Sequence, residues 1–211
     1  MSKIKLPHSS GNSMSIAAPA TNPSGDLTLT LPVNIGADRK VLAVNGSGNL
    51  EFIYPCGYGH FLATLSSNQT VSNNDEETIE FDQSDSFGGQ GNANSWYSTS
   101  TYKYTPQVAG VYHMHINCFW TDNTSTDKIQ HRARIRKNGS DYIADAYSGV
   151  NEQYGAFVHS ASCITYMNGT SDYIQFRAYS HADDGTNGVL QGNGKHYTYG
   201  FAYLLEAAWV N

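Results

Sequence analysis

Two histidines one residue apart, His113 and His115, lie in an apolar run and could begin a zinc site. Zinc takes three or four ligands at about 2.0–2.1 Å, and no neighbouring Asp, Glu or third His completes the set. The pair therefore reads as polar lining of a subunit interface or a symmetry axis. His131, His159, His181 and His196 are scattered, with no ligand spacing. Asp183-Asp184-Gly185 and Asp122-Asn123 with Asp127 are oxygen-rich and could attract calcium, yet neither has EF-hand spacing. Both read as solvated turns, and no metal is expected. Glu76, Glu77 and Glu80 are close carboxylates, which a glycan-cleaving site would need in pairs. An acidic strand edge explains them better. No Gly-x-Ser-x-Gly elbow is present and no Gly-rich loop opens a helix. The expectation is a protein that is not an enzyme and has no cofactor.

Recognition chemistry is better represented. The stretch 85–97 is rich in Gly and Asn and carries Phe87, then Trp96 and Tyr97 at its end. Tyr147, Asn151 and Tyr154 mark a second such stretch, and Asn187 and Asn193 a third within 180–196. Tyr, Ser, Gly and Asn make adaptable contact surfaces, and amides with aromatic rings suit sugar hydroxyls and sugar faces. These eight residues are the candidates for receptor-binding loops.

Composition narrows the partners. The 211 residues are 14% charged and 12% aromatic, with a net charge of −6. A charged fraction this low sits under the roughly 25% of an ordinary soluble domain, while 15 Tyr, 8 Phe and 3 Trp require a packed body. Phosphate binding needs clustered cations. The dense basic cluster is confined to Arg132, Arg134, Arg136 and Lys137, so no nucleic-acid partner is expected. No stretch reaches the roughly 18 apolar residues of a membrane span, so no membrane insertion is expected. The opening residues, MSKIKLPHSSGNS, lack the apolar centre of a signal peptide. Cys56, Cys118 and Cys163 are an odd set without zinc spacing. Cys118 and Cys163 sit in apolar runs and read as small buried hydrophobes.

The elements that position these residues are strands. Residues 1–26 hold small and polar residues with Pro7, Pro19 and Pro23, and read as an extended arm. Residues 27–59 read as a small β segment: Leu27, Leu29 and Leu31 alternate with Thr28 and Thr30. Lys40–Val44 and Asn49–Ile53 flank Asn45-Gly46-Ser47-Gly48 as a hairpin. Tyr54–Gly59 reads as a linker. Residues 60–211 carry strand signals at Phe61–Leu65, Glu77–Phe81, Tyr97–Tyr104, Gly110–Thr121, Ile129–Lys137, Asp141–Tyr147, Ala156–Tyr166, Ser171–Tyr179 and Thr198–Glu206. Asn138-Gly139 is the signal of a type I′ hairpin turn. In Gly110–Trp120, Tyr112, Met114, Ile116, Cys118 and Trp120 share one face, and His113, His115 and Asn117 lie on the other. Tyr173 and Gln175 alternate with Ile174, Phe176 and Ala178, while Phe201, Tyr203 and Leu205 alternate with Ala202 and Leu204. Strands that are apolar on one face and semi-polar on the other suit a subunit interface. His113, His115, Asn117, Tyr173 and Gln175 are its candidates. The fold class is all-β, an antiparallel jelly-roll sandwich with an extended N-terminal arm and a small β segment.

Five blocks in order over about residues 60–207 resemble the complement component 1q globular head and the tumour-necrosis-factor ligands. They are Phe61-Leu62-Ala63, Tyr104–Tyr112 with its Pro106 and Ala109-Gly110-Val111-Tyr112, Ile135-Arg136-Lys137-Asn138-Gly139, Tyr166–Ile174, and Gly200–Leu205. No collagen-like Gly-X-Y run is present. The start resembles the virion-anchoring segment of tailed-bacteriophage fibre proteins, in Lys3-Ile4-Lys5-Leu6, Ser15-Ile16-Ala17-Ala18-Pro19, Asn22-Pro23 and Leu27–Pro32. The resemblances imply a homotrimer around the inner sheet, exterior to a phage particle. Ile4, Leu6, Ile16, Leu27, Leu29 and Leu31 would anchor it to other virion proteins. The head would contact a host-surface glycan or protein. The alternative is a capsid decoration, cement or capsid-fibre protein that stabilises the shell.

Overall fold

The computed structural model describes residues 3–7, 11, 13–17, 30, 32–33, 40–44, 50–84, 93–121, 129–150, 156–193 and 197–208. They form strands β1 (Lys3–Pro7), β2 (Ser13–Ala17), β3 (Val41–Val44), β4 (Leu50–Ile53), β5 (Phe61–Thr64), β6 (Gln69–Val71), β7 (Asp75–Thr78), β8 (Gln83–Ser84), β9 (Tyr97–Ser98), β10 (Lys103–Tyr104), β11 (Gly110–Trp120), β12 (Ile129–Lys137), β13 (Asp141–Val150), β14 (Phe157–Met167), β15 (Ile174–Ala182), β16 (Gly188–Leu190) and β17 (Tyr199–Ala207). Among the described residues there is one short 3-10 turn, Ala93–Ser95, and no α-helix. Contacts divide the chain into Met1–Gly36 with Leu42–Phe52, and Ala37–Val41 with Ile53–Asn211.

In the first unit, residues 3–7 and 13–17 are not an extended arm. They pair as an antiparallel hairpin with Ile4 opposite Ile16 and Leu6 opposite Met14. Short alternating runs paired side by side satisfy each other's backbone groups, a pairing that a helix-period test does not detect. β3 and β4 form their own two-stranded sheet, the expected hairpin. Leu27, Leu29 and Leu31 lie outside the described residues.

The second unit is a sandwich of two sheets. One runs β13-β12-β15-β10-β9; the other runs β6-β16-β11-β17-β5-β8, with β14 on the remaining edge of β11. Among the described residues the strands of the two sheets pair antiparallel. Period-2 alternation sends one face of each sheet inward. Tyr112, Met114, Ile116, Cys118 and Trp120 of β11 are fully buried, opposite Ala133 and Ile135 of β12 and Ile174, Phe176 and Ala178 of β15. Aromatic rings join the layers: Phe61 stacks on Tyr97 at 4.9 Å and on Tyr104 at 4.7 Å. All three cysteines are free thiols; Cys118 is a buried core residue as expected, and Cys163 is half-buried.

Residues 54–59 are part of the sandwich and not a linker. Tyr54 stacks on Tyr58, and both pack on the core. The Gly57 N–H donates to Leu204 O, and the Leu204 N–H donates to Tyr58 O. The aromatic side chains override the Pro and Gly that make the stretch look like a connector. Gly188–Leu190, inside a stretch read as a recognition loop, is a strand paired with β6 and with Trp120. Three residues are too short a run for alternation to register.

Asn138 and Gly139 have φ of 54° and 80°, the positive pair that a type I′ turn requires. Asn138 also accepts from Tyr173 N–H through Oδ1 at 3.0 Å and donates to Asp172 Oδ1 at 2.9 Å. A Cβ at Gly139 would come 2.8 Å from the Tyr173 hydroxyl. Gly139→Ala is expected to cost about 1–2 kcal/mol, measured as a lower urea midpoint at unchanged slope.

Candidate functional site

The outward face of the seven-stranded sheet is built by register. Reading across β14, β11 and β17, Tyr166 lies beside Val111 and Glu206, then Ile164 beside His113 and Tyr203, then Ser162 beside His115 and Phe201, then Ser160 beside Asn117 and Tyr199. Leu62 of β5 extends the Phe201 row. Among Asp, Glu, Lys and Arg, these four strands contain Glu206 alone. Val158, Ile164 and Tyr166 are more than half exposed. The His113 ring meets Tyr203 edge-on at 5.3 Å, and the His115 ring stacks on Phe201 at 5.0 Å. His115 Nδ1 and Ser162 Oγ share a 2.8 Å hydrogen bond. Asn117 is nearly buried, with Nδ2 donating to Tyr197 O and Oδ1 accepting from Ser160 Oγ. Burial, then the neighbouring His113, lowers the pKa of His115, favouring the neutral ring.

The structure brings His113, His115 and Asn117 together on this face. It does not bring Tyr173 and Gln175 to it. Gln175 belongs to β15 of the opposite sheet and Tyr173 immediately precedes that strand, where Lys103 Nζ sits 3.9 Å above the Tyr173 ring. Alternation assigns a residue to a face but cannot say to which sheet that face belongs. Ile164, Tyr166 and Val158 were absent from the sequence candidates, although the uncharged alternation of β14 marks them.

The outward face of the other sheet is cationic and aromatic. Arg132 lies between Tyr147 and Tyr179 in register, and Arg134 between Asp145 and Arg177. The Arg132 guanidinium stands 4.6 Å from the Tyr147 ring. Glu76 of β7 is not an acidic edge. It receives Arg134 on Oε2 and Arg177 Nε at 3.1 Å on Oε1, and Arg136 Nε approaches to 2.8 Å.

The predicted recognition residues have mixed fates. Tyr97 is only 3% exposed; its ring packs on Phe61 and its hydroxyl donates to Phe81 O. It is therefore a core residue, withdrawn from any receptor by the packing that an aromatic at a strand start attracts. Trp96 is half-buried against Tyr58. Tyr147, Asn187 and Asn193 are exposed. Phe87, Asn151 and Tyr154 lie outside the described residues. In the 183–185 loop, Asp183 pairs with His181 and Asp184 accepts from Thr186 N–H. Among the described residues no group of three or more His, Cys, Asp or Glu is placed to hold a metal ion. The Asp122–Asp127 loop lies outside them.

No family model and no curated protein sequence matches this chain. Solved structures do. A tumour-necrosis-factor protein, Eiger of S. frugiperda, matches 74% of this chain and 96% of its own at 12% identity, with a TM-score of 0.52. The head shares the jelly-roll fold of that structure. The globular domain of zebrafish complement 1qA matches 71% of this chain and 99% of its own at 12% identity and TM-score 0.49. Murine APRIL matches 69% and 99% at 12% identity and TM-score 0.45.

Proposed function

We propose that this chain is a non-enzymatic structural protein of a tailed-phage virion. Three copies close around the outward face of the seven-stranded sheet, the N-terminal unit docks the trimer on other virion proteins, and the jelly-roll head contacts a glycan on the host surface. The observation that carries the assembly is that face itself: aromatic and aliphatic, more than half exposed at Val158, Ile164 and Tyr166, with Glu206 as its lone formal charge. An exposed apolar sheet face of this kind favours burial by association. Placement on a virion is supported by the likeness of residues 3–32 to fibre anchors. Three loop sites per knob would give attachment through effective concentration, without a tight single site.

Sedimentation velocity of the full chain at neutral pH tests the assembly, and a monomer overturns it. Pre-incubating host cells with the full chain should block phage adsorption; unaltered adsorption overturns the attachment role. Gold labelling should fall on the tail, whereas capsid labelling would make the chain a decoration protein.

His115 gives this assembly a pH dependence. His113 and His115 have Ile164, Ser162, Phe201 and Tyr203 as their cross-strand neighbours, with Glu206 one row away. Burial between copies favours the neutral His115 ring further. For a depressed His pKa the stabilisation is complete above the ordinary value of about 6.5 and is lost as pH falls through it. The trimer is expected to weaken at least about tenfold between pH 7.5 and 5, read by sedimentation at both values. His113→Gln/His115→Gln should flatten the response, and a parent response without pH dependence would contradict it.

A further inference from the structure

A second feature lies where β5 leads into β6. A cavity of about 360 Å³ opens between the β5–β6 connection, the segment after β7 and the β9–β10 turn, lined by residues that include Asn68, Gln69, Glu80, Asp82 and Tyr102. Its walls are fixed by hydrogen bonds. Gln69 donates to Thr78 O at 2.8 Å and accepts from Glu80 N–H at 2.9 Å, which ties β6 to the Glu80 segment. Asp82 accepts from Ser66 N–H on Oδ1 and from Ser66 Oγ on Oδ2. Asn68 Oδ1 accepts from Gly192 N–H at 3.0 Å, so the amide turns its N–H donors the other way. Tyr102 lines the cavity from a left-handed backbone conformation, φ 54°, which bulky residues rarely adopt.

Among the described residues that line it there is no Lys, Arg or His, and two are carboxylates. Phosphates, uronic acids and sialic acids would be repelled. A ligand that brings many hydroxyl donors would be matched, because an ionised carboxylate only accepts. The volume lies near the lower end of the roughly 300–1,000 Å³ of ligand pockets, a size that suits a mono- or disaccharide. We propose that this cavity binds an uncharged saccharide unit of the host glycan, with Asp82 and Glu80 accepting from sugar hydroxyls, Asn68 donating to them and the Tyr102 ring forming a wall. The ligand class rests on the attachment role proposed above.

The test uses the full chain and a panel of glucose, galactose, mannose and N-acetylglucosamine, with glucuronic and sialic acid as anionic arms, read by saturation-transfer NMR and calorimetry. Saturable binding of at least one uncharged sugar is expected, with no binding of the anionic ones. Tyr102→Gly relieves the positive φ while removing the ring. It should fold at least as stably as the parent and bind the sugar at least about tenfold more weakly. Glu80→Gln should weaken binding severalfold. No binding by any uncharged sugar, or parental affinity in both variants, overturns the site. If Tyr102→Gly still blocks phage adsorption like the parent, attachment stands and this cavity is not its site. If sugar binding depends on Tyr102 but the chain never blocks adsorption, the cavity stands and the attachment role falls.

Discussion

Glu76→Gln is expected to lower unfolding stability by about 2–3 kcal/mol, read from denaturant midpoints at unchanged slope. The Glu76 side chain is 11% exposed and faces Arg134, Arg136 and Arg177, themselves 14–22% exposed. Tyr142 also donates its hydroxyl at 3.0 Å, and Arg177 Nη2 donates to the Glu76 carbonyl at 2.7 Å. Two neighbouring contacts hold β7 along β15: Asn74 N–H donates to Ser180 O and Ile79 N–H to Phe176 O. Removing one partner of a buried ion pair costs about 3–5 kcal/mol because the remaining charge stays desolvated. Partial exposure of the arginines screens some of that, hence the lower figure. The pH course follows from the carboxyl. Burial alone would raise its pKa, but the bonds from Arg134 and Tyr142 and the charges of Arg136 and Arg134 outweigh burial and hold it below 4.5. A depressed carboxyl contributes fully above its ordinary value and loses that contribution as pH falls through the folded-state value. The gap between parent and variant should therefore close in acid. A midpoint unchanged at neutral pH would show that these arginines are adequately solvated without Glu76.

Ile164→Arg is expected to convert the proposed trimer to monomers without unfolding the chain. Ile164 is 65% exposed, so the substitution leaves the core untouched and its effect on folding should stay within about 0.5 kcal/mol. In the assembly it would place three guanidiniums against a surface whose sole carboxylate, Glu206, lies one row off. An unpaired charge withdrawn from water costs several kcal/mol, so dissociation should strengthen by at least about a hundredfold. Sedimentation velocity with a parallel denaturation curve separates the two effects. A variant that still sediments as a trimer would remove this face from the interface.

Both experiments bear on what each level of description holds. The inward row Tyr112, Met114, Ile116, Cys118 and Trp120 was legible as a core face, because pleating turns alternation directly into burial. The Asn138-Gly139 turn was legible for a similarly local reason, the two residues' tolerance of positive φ. Glu76 was not. Its partners lie 58 and 101 residues away in sequence, and nothing near Glu76 announces them. Tyr97 and residues 54–59 were misplaced because a ring that ends a polar loop looks the same in sequence whether the fold exposes it or tucks it under a sheet.

The strand class, the faces of the long strands and the hairpin turn were readable in the chain's local order, since each follows from residues within a few positions of one another. Which sheet each face belongs to emerged from the three-dimensional arrangement. It separated Tyr173 and Gln175 from His113 and His115, gathered three arginines onto one carboxylate, and shaped the open pocket beside Tyr102. These depend on strand order, and strand order is set by long-range backbone pairing and inter-sheet packing that no local pattern encodes.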